Sequence, residues 1–232
     1  MNKTIFVTGT DTGVGKTLIS KTLINYFVSQ GEVVAPMKPV ASGAEIAEAG
    51  HNGMLVNDDA LTLIEAANTQ LNYSEVNPYV FREPIAPHIA AKKNSIIIDI
   101  NELNLCYQHL KNKSDRVIIE GAGGWQVPLN DASSMADWVS QNKWPVILVI
   151  GLRLGCINHA RLSYLDIMAK QNPLAGWIVN TIDPDVLESD AVIADLARFI
   201  KAPMLGVIPW LGVEYQSGAD IMQYLDLSMI QR

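Results

Sequence analysis

Short apolar runs separated by helix-length stretches organise this chain. Ile5-Phe6-Val7, Val33-Val34-Ala35, Val117-Ile118-Ile119, Val146-Ile147-Leu148-Val149-Ile150, Trp177-Ile178-Val179 and Leu205-Gly206-Val207-Ile208 read as strands. Their apolarity is continuous rather than alternating, as expected of strands covered on both faces in a mostly parallel sheet. Between the first two runs, Ile19, Leu23, Tyr26 and Phe27 recur at helical spacing, and Gly31 follows where a left-handed residue would end the helix. Such a strand–loop–helix–strand unit predicts a right-handed crossover. Asp166 to Lys170 and Asp190 to Ile200 read as later covering helices, closed by Pro173 and Pro203. No repeat, low-complexity segment or Pro/Ser-rich linker interrupts the pattern, so residues 1–232 are expected to form one domain, an α/β three-layer sandwich.

The residues just beyond the runs carry a second pattern. Thr8-Gly9, Lys38, Glu120-Gly121, Gly151, Asn180 and Pro209 all fall at or after predicted carboxyl ends of strands. Open α/β sheets bind their ligands along that edge, so polar and glycine residues repeated there mark a site.

Composition narrows the classes without changing this picture. A chain of 232 residues, 49 % of them apolar and five of them Trp, has a sizeable core to build. It should bury roughly 70 % of its unfolded surface and needs no disulfide or metal staple. The formal charge of −7 and the lack of a Lys/Arg run argue against nucleic acid as a partner, and the densest basic cluster, Lys111, Lys113 and Arg116, reads as solvated surface. Cys106 and Cys156 have no CxxC spacing and no zinc-like partners, so they read as reduced thiols of a cytoplasmic protein. A strand and glycine turn within residues 1–10 leave no room for a signal peptide, and no apolar run approaches the ~18 residues of a membrane span.

The strongest chemical signal is Gly9-Thr10-Asp11-Thr12-Gly13-Val14-Gly15-Lys16-Thr17, between the first strand and the first helix. A phosphate-binding loop needs this context: Gly13 and Gly15 let successive N–H groups converge on phosphate oxygens, and the helix adds its positive end. Lys16 can reach the β and γ oxygens, and the Thr17 hydroxyl can ligate magnesium. Thr10 stands where the strict pattern has its first glycine. Glu120 closes an apolar strand before Gly121-Ala122-Gly123-Gly124 and is the candidate second metal ligand, the alternative being a turn cap. Lys38, fixed by Pro39 at another strand end, can neutralise charge on a transferred phosphoryl group. Asp58 and Asp59 open a helix, where acidic residues serve the dipole as readily as a ligand. Gly155-Cys156-Ile157-Asn158 precedes another helix and offers N–H groups that could hold a carboxylate or merely start the helix. His88 and His159 have no acid or thiol arranged beside them and read as structural.

With these motifs in order along residues 1–210, the chain resembles the dethiobiotin synthetases. The resemblance rests on the phosphate loop, Lys38-Pro39-Val40-x-Ser42-Gly43, Asn77-Pro78-Tyr79 with Pro87-His88, Glu120-Gly121-Ala122-Gly123-Gly124, Leu154-Gly155-Cys156-Ile157-Asn158-His159 and Gly206-x-Ile208-Pro209-Trp210. It implies a mostly parallel P-loop sheet of about seven strands, a homodimer, and ATP- and Mg2+-dependent closure of a ureido ring on 7,8-diaminononanoate with CO2. It assigns Lys16 and Lys38 to catalysis, and Thr17, Asp59 and Glu120 to magnesium. ATP would be held by Gly13, Val14, Gly15, Lys16, Thr17, Leu18, Asp59, Glu120, Gly121, Ala122, Gly123, Asn180, Thr181, Ile208, Pro209, Trp210 and Glu214. The diamine substrate would meet Thr12 and Ser42, with its distal carboxylate on Gly155, Cys156 and Asn158 of the partner subunit.

Two other classes share the architecture. A partitioning-type switch ATPase places a lysine near the start of the loop, where this chain has Asp11, and its membrane-binding members end in a basic helix, whereas Ala219–Arg232 holds two Asp and one Arg. A small-molecule kinase is not distinguished by the loop alone.

Overall fold

A computed structural model describes residues 3–47, 53–212 and 221–231. Its main sheet is built from β1 (Thr4–Gly9), β2 (Val34–Met37), β7 (Arg116–Glu120), β8 (Val146–Leu152), β9 (Leu174–Thr181) and β10 (Met204–Ile208). All six predicted runs are present, in the order β10-β9-β8-β1-β7-β2, and every neighbouring pair is parallel. The sheet therefore has six strands rather than about seven. Lys38 and Pro39 interrupt the chain after β2, and the next strand, β3 (Val40–Ser42), pairs instead with β6 (Tyr79–Phe81) in a small side sheet. A second side sheet is the two-residue pair β4 (Glu45–Ile46) and β5 (Leu55–Val56). At the β10 edge a single antiparallel bridge joins Gly206 to Leu225.

The continuous apolar strands point into two cores. Ile5, Val7, Ile118, Ile147, Val149 and Ile178 face one side, with Ile19, Leu23 and Phe27 of α1 (Lys16–Ser29) and Leu63 of α2 (Asp58–Ala66). Phe6, Ile119, Leu148, Ile150 and Trp177 face the other. That face is covered by α5 (Ile100–Asn112), α6 (Met135–Asn142), α7 (Cys156–Ala169) and α8 (Ser189–Phe199), with Trp138 and Trp144 wholly buried. Of two short helices, α4 (Pro87–Lys93) packs on the β3–β6 side sheet, whereas α3 (Tyr73–Val76) packs against α2, α5 and β2. Asp166–Lys170 proves to be the last turn of α7, which starts ten residues earlier. Gly31 lies at φ 82° just past the end of α1, the left-handed stop that its position implied. Arg116 is tied to Glu32 at 2.7 Å and stacks over Phe27 at 3.6 Å, so it belongs to a packed edge rather than to open basic surface. Among the described residues no helix is long and apolar enough to cross a membrane.

This strand order matters for the site because β1 lies between β7 and β8, where the winding of the sheet reverses. The loops after those three strands open together at one edge.

Candidate active site at the carboxyl edge of the sheet

The loop after β1 is held in shape from beneath. Thr10 N–H continues the ladder to the Val149 carbonyl at 2.9 Å, and Val14 is buried under the loop. Gly15, at φ 93°, is the N-cap of α1, and no side-chain cap occupies it, so the first-turn N–H groups face the cavity. A Cβ on Gly15 would strike the amide of Asn180, which donates to the Val14 carbonyl at 3.0 Å. Lys16 arches back to the Asp11 carbonyl at 2.8 Å. Burial, then the nearby Lys38 charge, pull its pKa down to about 8 against the opposing pull of Glu120, Asp59 and Asp11.

Beside the loop is a compact charged cluster. Lys38 Nζ lies 2.5 Å from Glu120 Oε1 and 2.8 Å from Asp59 Oδ2. The Thr17 hydroxyl reaches both carboxylates, 2.8 Å from Asp59 Oδ1 and 3.0 Å from Glu120 Oε1. Lys38 and Glu120 are 3 % and 0 % exposed, so each needs the other's charge. Burial acts to lower the Lys38 pKa, but Glu120 and Asp59 outweigh it and leave the ammonium above its ordinary range. For Asp59, burial acts upward and is outweighed by Lys38 and by the Thr17 hydroxyl. Asp59, not Asp58, enters the cluster. Neither residue caps α2, because Asn57 is its N-cap and accepts from the Ala60 N–H at 3.4 Å.

A cavity of about 850 Å³ joins these parts. Thr12, Gly13, Gly15, Lys16, Thr17, Leu18, Lys38, Ser42, Asp59, Glu120, Ala122, Gly123, Asn180, Thr181, Pro209 and Trp210 line it. Val14, Gly121 and Ile208 do not line it, although each is next in sequence to a residue that does. Glu214 lies outside the described residues. Gly155, Cys156 and Asn158 do form the start of α7, with Gly155 as N-cap at φ 92°, but a single chain does not bring them to this cavity. Two features of the wall were not foreseen. One is apolar: Pro84–Pro87 and Val127–Pro128 also line the cavity. The Pro-x-x-Pro spacing of Pro84 and Pro87 was the available hint of a rigid wall. The other is an ion pair, Arg153 with Asp11 at 2.5 Å, which links the loop to the end of β8.

The donor set fits magnesium. Among the described residues no three His, Cys, Asp or Glu side chains gather into an all-protein metal site. Two carboxylates and a hydroxyl are the sparse set this ion takes when phosphate oxygens and water complete its shell. Glu120 Oε2 is buried without a hydrogen-bond partner, as is the Ser42 hydroxyl, so both retain capacity for a ligand.

The fold and loop define a phosphate-binding-loop nucleotide-binding protein. Solved structures of the same fold include the MinC:MinD cell division complex of Aquifex aeolicus (TM-score 0.57, 18 % identity, 93 % of this chain and 85 % of that one). Another is the septum site-determining protein MinD of Pyrococcus horikoshii in complex with Mg-ADP (TM-score 0.52, 19 % identity, 90 % and 82 %). A family model described as an AAA domain matches residues 3–216. ATP-dependent dethiobiotin synthetase BioD 1 of Salmonella typhi is 45 % identical over 232 residues, all of both chains. The protein of the same name from Escherichia coli K12 is 43 % identical over 230 residues, 99 % of this chain and 100 % of that one. The chain belongs to the ATP-dependent dethiobiotin synthetase family and is, as such, an ATP-dependent ligase.

Proposed function

We propose that this protein, acting as one catalytic domain per chain, closes the ureido ring of dethiobiotin on 7,8-diaminononanoate, consuming ATP and CO2. The observation that carries the reading is the meeting of Lys38, Asp59, Glu120 and Thr17 beside the phosphate loop, in a cavity large enough for a nucleotide and a small acid. One amine of the substrate adds to CO2 and loses a proton, giving a carbamate. A carbamate oxygen attacks the γ-phosphorus of ATP and ADP leaves. The second amine then attacks the carbonyl carbon of the mixed anhydride and expels phosphate.

None of these steps needs a protein nucleophile, so positioning and charge must supply the acceleration. Lys16 and the loop N–H groups grip the phosphates. Lys38 faces the transferred group, and its raised pKa keeps it charged throughout the working pH range. Ser42, with its unused hydroxyl, meets the diamine end alongside Thr12. Asn180, Thr181, Pro209 and Trp210 border the cavity end suited to adenine, with Ile208 just before Pro209 in the chain, whereas Pro84–Pro87 and Val127–Pro128 suit an alkyl chain. Thr17, Asp59 and Glu120 would hold Mg2+, which when bound neutralises charge on the β- and γ-phosphates.

The distal carboxylate of the substrate would reach the start of α7 in a partner subunit, consistent with the distance of Gly155–Asn158 from this chain's own cavity. A homodimer is supported by the outer face of α7, where Leu162, Leu165 and Met168 are exposed, and by exposed Leu154 just before it. The two free cysteines suit a reducing cytoplasm.

The deciding assay is phosphate release with ATP, Mg2+, bicarbonate and diaminononanoate, omitting each in turn. Release should require all four. Equal release without the diamine would leave a switch ATPase, and a phosphorylated product would leave a kinase.

A further inference from the structure

Asn77-Pro78-Tyr79 stands out in the sequence, yet the reaction as described gives it no task. Asn77 follows α3, is 1 % exposed, and has every polar atom of its side chain engaged. Its Nδ2 donates to the Lys38 carbonyl at 2.7 Å and to the Tyr79 carbonyl at 3.1 Å. Its Oδ1 accepts from the Tyr73 hydroxyl at 2.6 Å, one helical turn earlier. That hydroxyl in turn accepts the Asn57 N–H at 2.8 Å. Asn57 is the N-cap of α2, two residues before Asp59. A second bond fixes Lys38 from the other side, its N–H donating to the Val76 carbonyl at 2.9 Å.

The donors and acceptors run in one consistent direction from Asn57 through Tyr73 and Asn77 to Lys38. The two ends of this chain are the backbones that carry the two partners of one ion pair, Lys38 and Asp59, 2.8 Å apart. Lys38 has particular need of such a hold, because it sits in the two-residue gap between β2 and β3 and pairs with no strand. Buried networks of this kind fix one geometry, because any departure leaves a buried polar group unmet. We propose that Tyr73 and Asn77 are positioning residues for the ring-closing reaction: together they set the separation of the Lys38 ammonium from Asp59. This inference rests on the function proposed above.

The test is Tyr73→Phe, which keeps the ring and removes only the hydroxyl. Misplacement of a catalytic group by a fraction of an ångström to an ångström costs about 10- to 100-fold in rate. The expected result is a kcat loss in that range for diamine-dependent phosphate release, with the KM for ATP within about twofold of wild type, because the adenine end of the cavity is untouched. The loss should persist on cooling to well below the melting temperature, where a merely weakened fold has recovered. Asn77→Asp, which keeps the acceptor for Tyr73 and loses both donors, should behave alike and stands in if the first variant folds poorly. A second readout does not depend on the reaction. The Lys38 side-chain ammonium resonance of the nucleotide-free protein should shift or broaden in the variants. Wild-type kcat together with an unmoved resonance, or a rate loss that vanishes on cooling, overturns the proposal. Absence of diamine-dependent release from the wild type would instead overturn the functional reading, and the resonance alone would then decide whether the positioning holds.

Discussion

The Lys38 ammonium lies 2.5 Å from Oε1 of Glu120, and both side chains are almost wholly buried. Taking a cation and an anion out of water together costs far less than leaving one there alone. Lys38→Met should therefore destabilise the fold by about 3–5 kcal/mol, the usual cost of stranding a buried charge. Lys38→Met combined with Glu120→Gln should regain most of that stability while remaining inactive. Chemical denaturation of the three proteins measures this, and a Lys38→Met protein as stable as wild type would contradict the pairing.

The phosphate loop offers a geometric prediction. Gly15→Ala would force a Cβ into the Asn180 amide at φ 93°, where side chains are rarely accommodated. Nucleotide binding should fall sharply in this variant. Lys16→Ala should fail in the same assay through loss of charge alone. A ligand at ~100 times its dissociation constant stabilises by about 2.7 kcal/mol, so ATP-dependent thermal stabilisation is a sensitive readout. An undiminished shift in either variant would relocate the phosphates.

The proposed sharing of the site between two subunits predicts complementation. Asn158→Ala should raise the diamine requirement while sparing ATP binding. Lys38→Ala and Asn158→Asp, each inactive in its own dimer, should recover up to about one quarter of wild-type activity on equal mixing, because half the dimers are mixed and each holds one intact site. No recovery after exchange of subunits would place α7's start outside the partner's site.

Acid sensitivity can be assigned to particular pairs. The hydrogen bond from Lys113, then those from the Asn72 N–H and His109, hold the Glu75 pKa at about 2. Lys170, then Ser134, do the same for Asp137, also at about 2. Both carboxyls sit below their unfolded values, so their contribution is full above pH ~4.5 and is lost as pH falls through the folded values. Melting temperature should decline between about pH 4.5 and 2, and Glu75→Gln with Asp137→Asn should flatten the decline. Solvent screens both pairs, so the effect is modest for each. An unchanged slope in the double variant would assign the acid loss elsewhere.

The sheet and the phosphate loop were legible in the sequence because their signals are local. Six continuous apolar runs name six buried strands, and glycines beside a Lys-Thr pair name the loop. The side sheets were not legible: strands of two or three residues are too short to show a period, and Pro39 is what diverts the chain into them. Asp58 and Asp59 could not be separated by pattern, because adjacent residues on a helix differ by about 100° in direction and only the tertiary position of Lys38 selects one. The Asn57–Tyr73–Asn77 connection was hidden for a similar reason, although Tyr73 and Asn77 share the i, i+4 spacing that places polar partners on one helical face.

The placement of β1 bears on how the protein is made. Its two neighbours in the sheet begin at Arg116 and Val146, although β1 itself starts at Thr4. During synthesis the phosphate loop leaves the ribosome before either strand that flanks β1 has been made. Parallel pairing across such distances is slow and leaves strand edges open in the meantime. Until β7 and β8 are made, both edges of β1 lack the strands that cover them in the finished sheet.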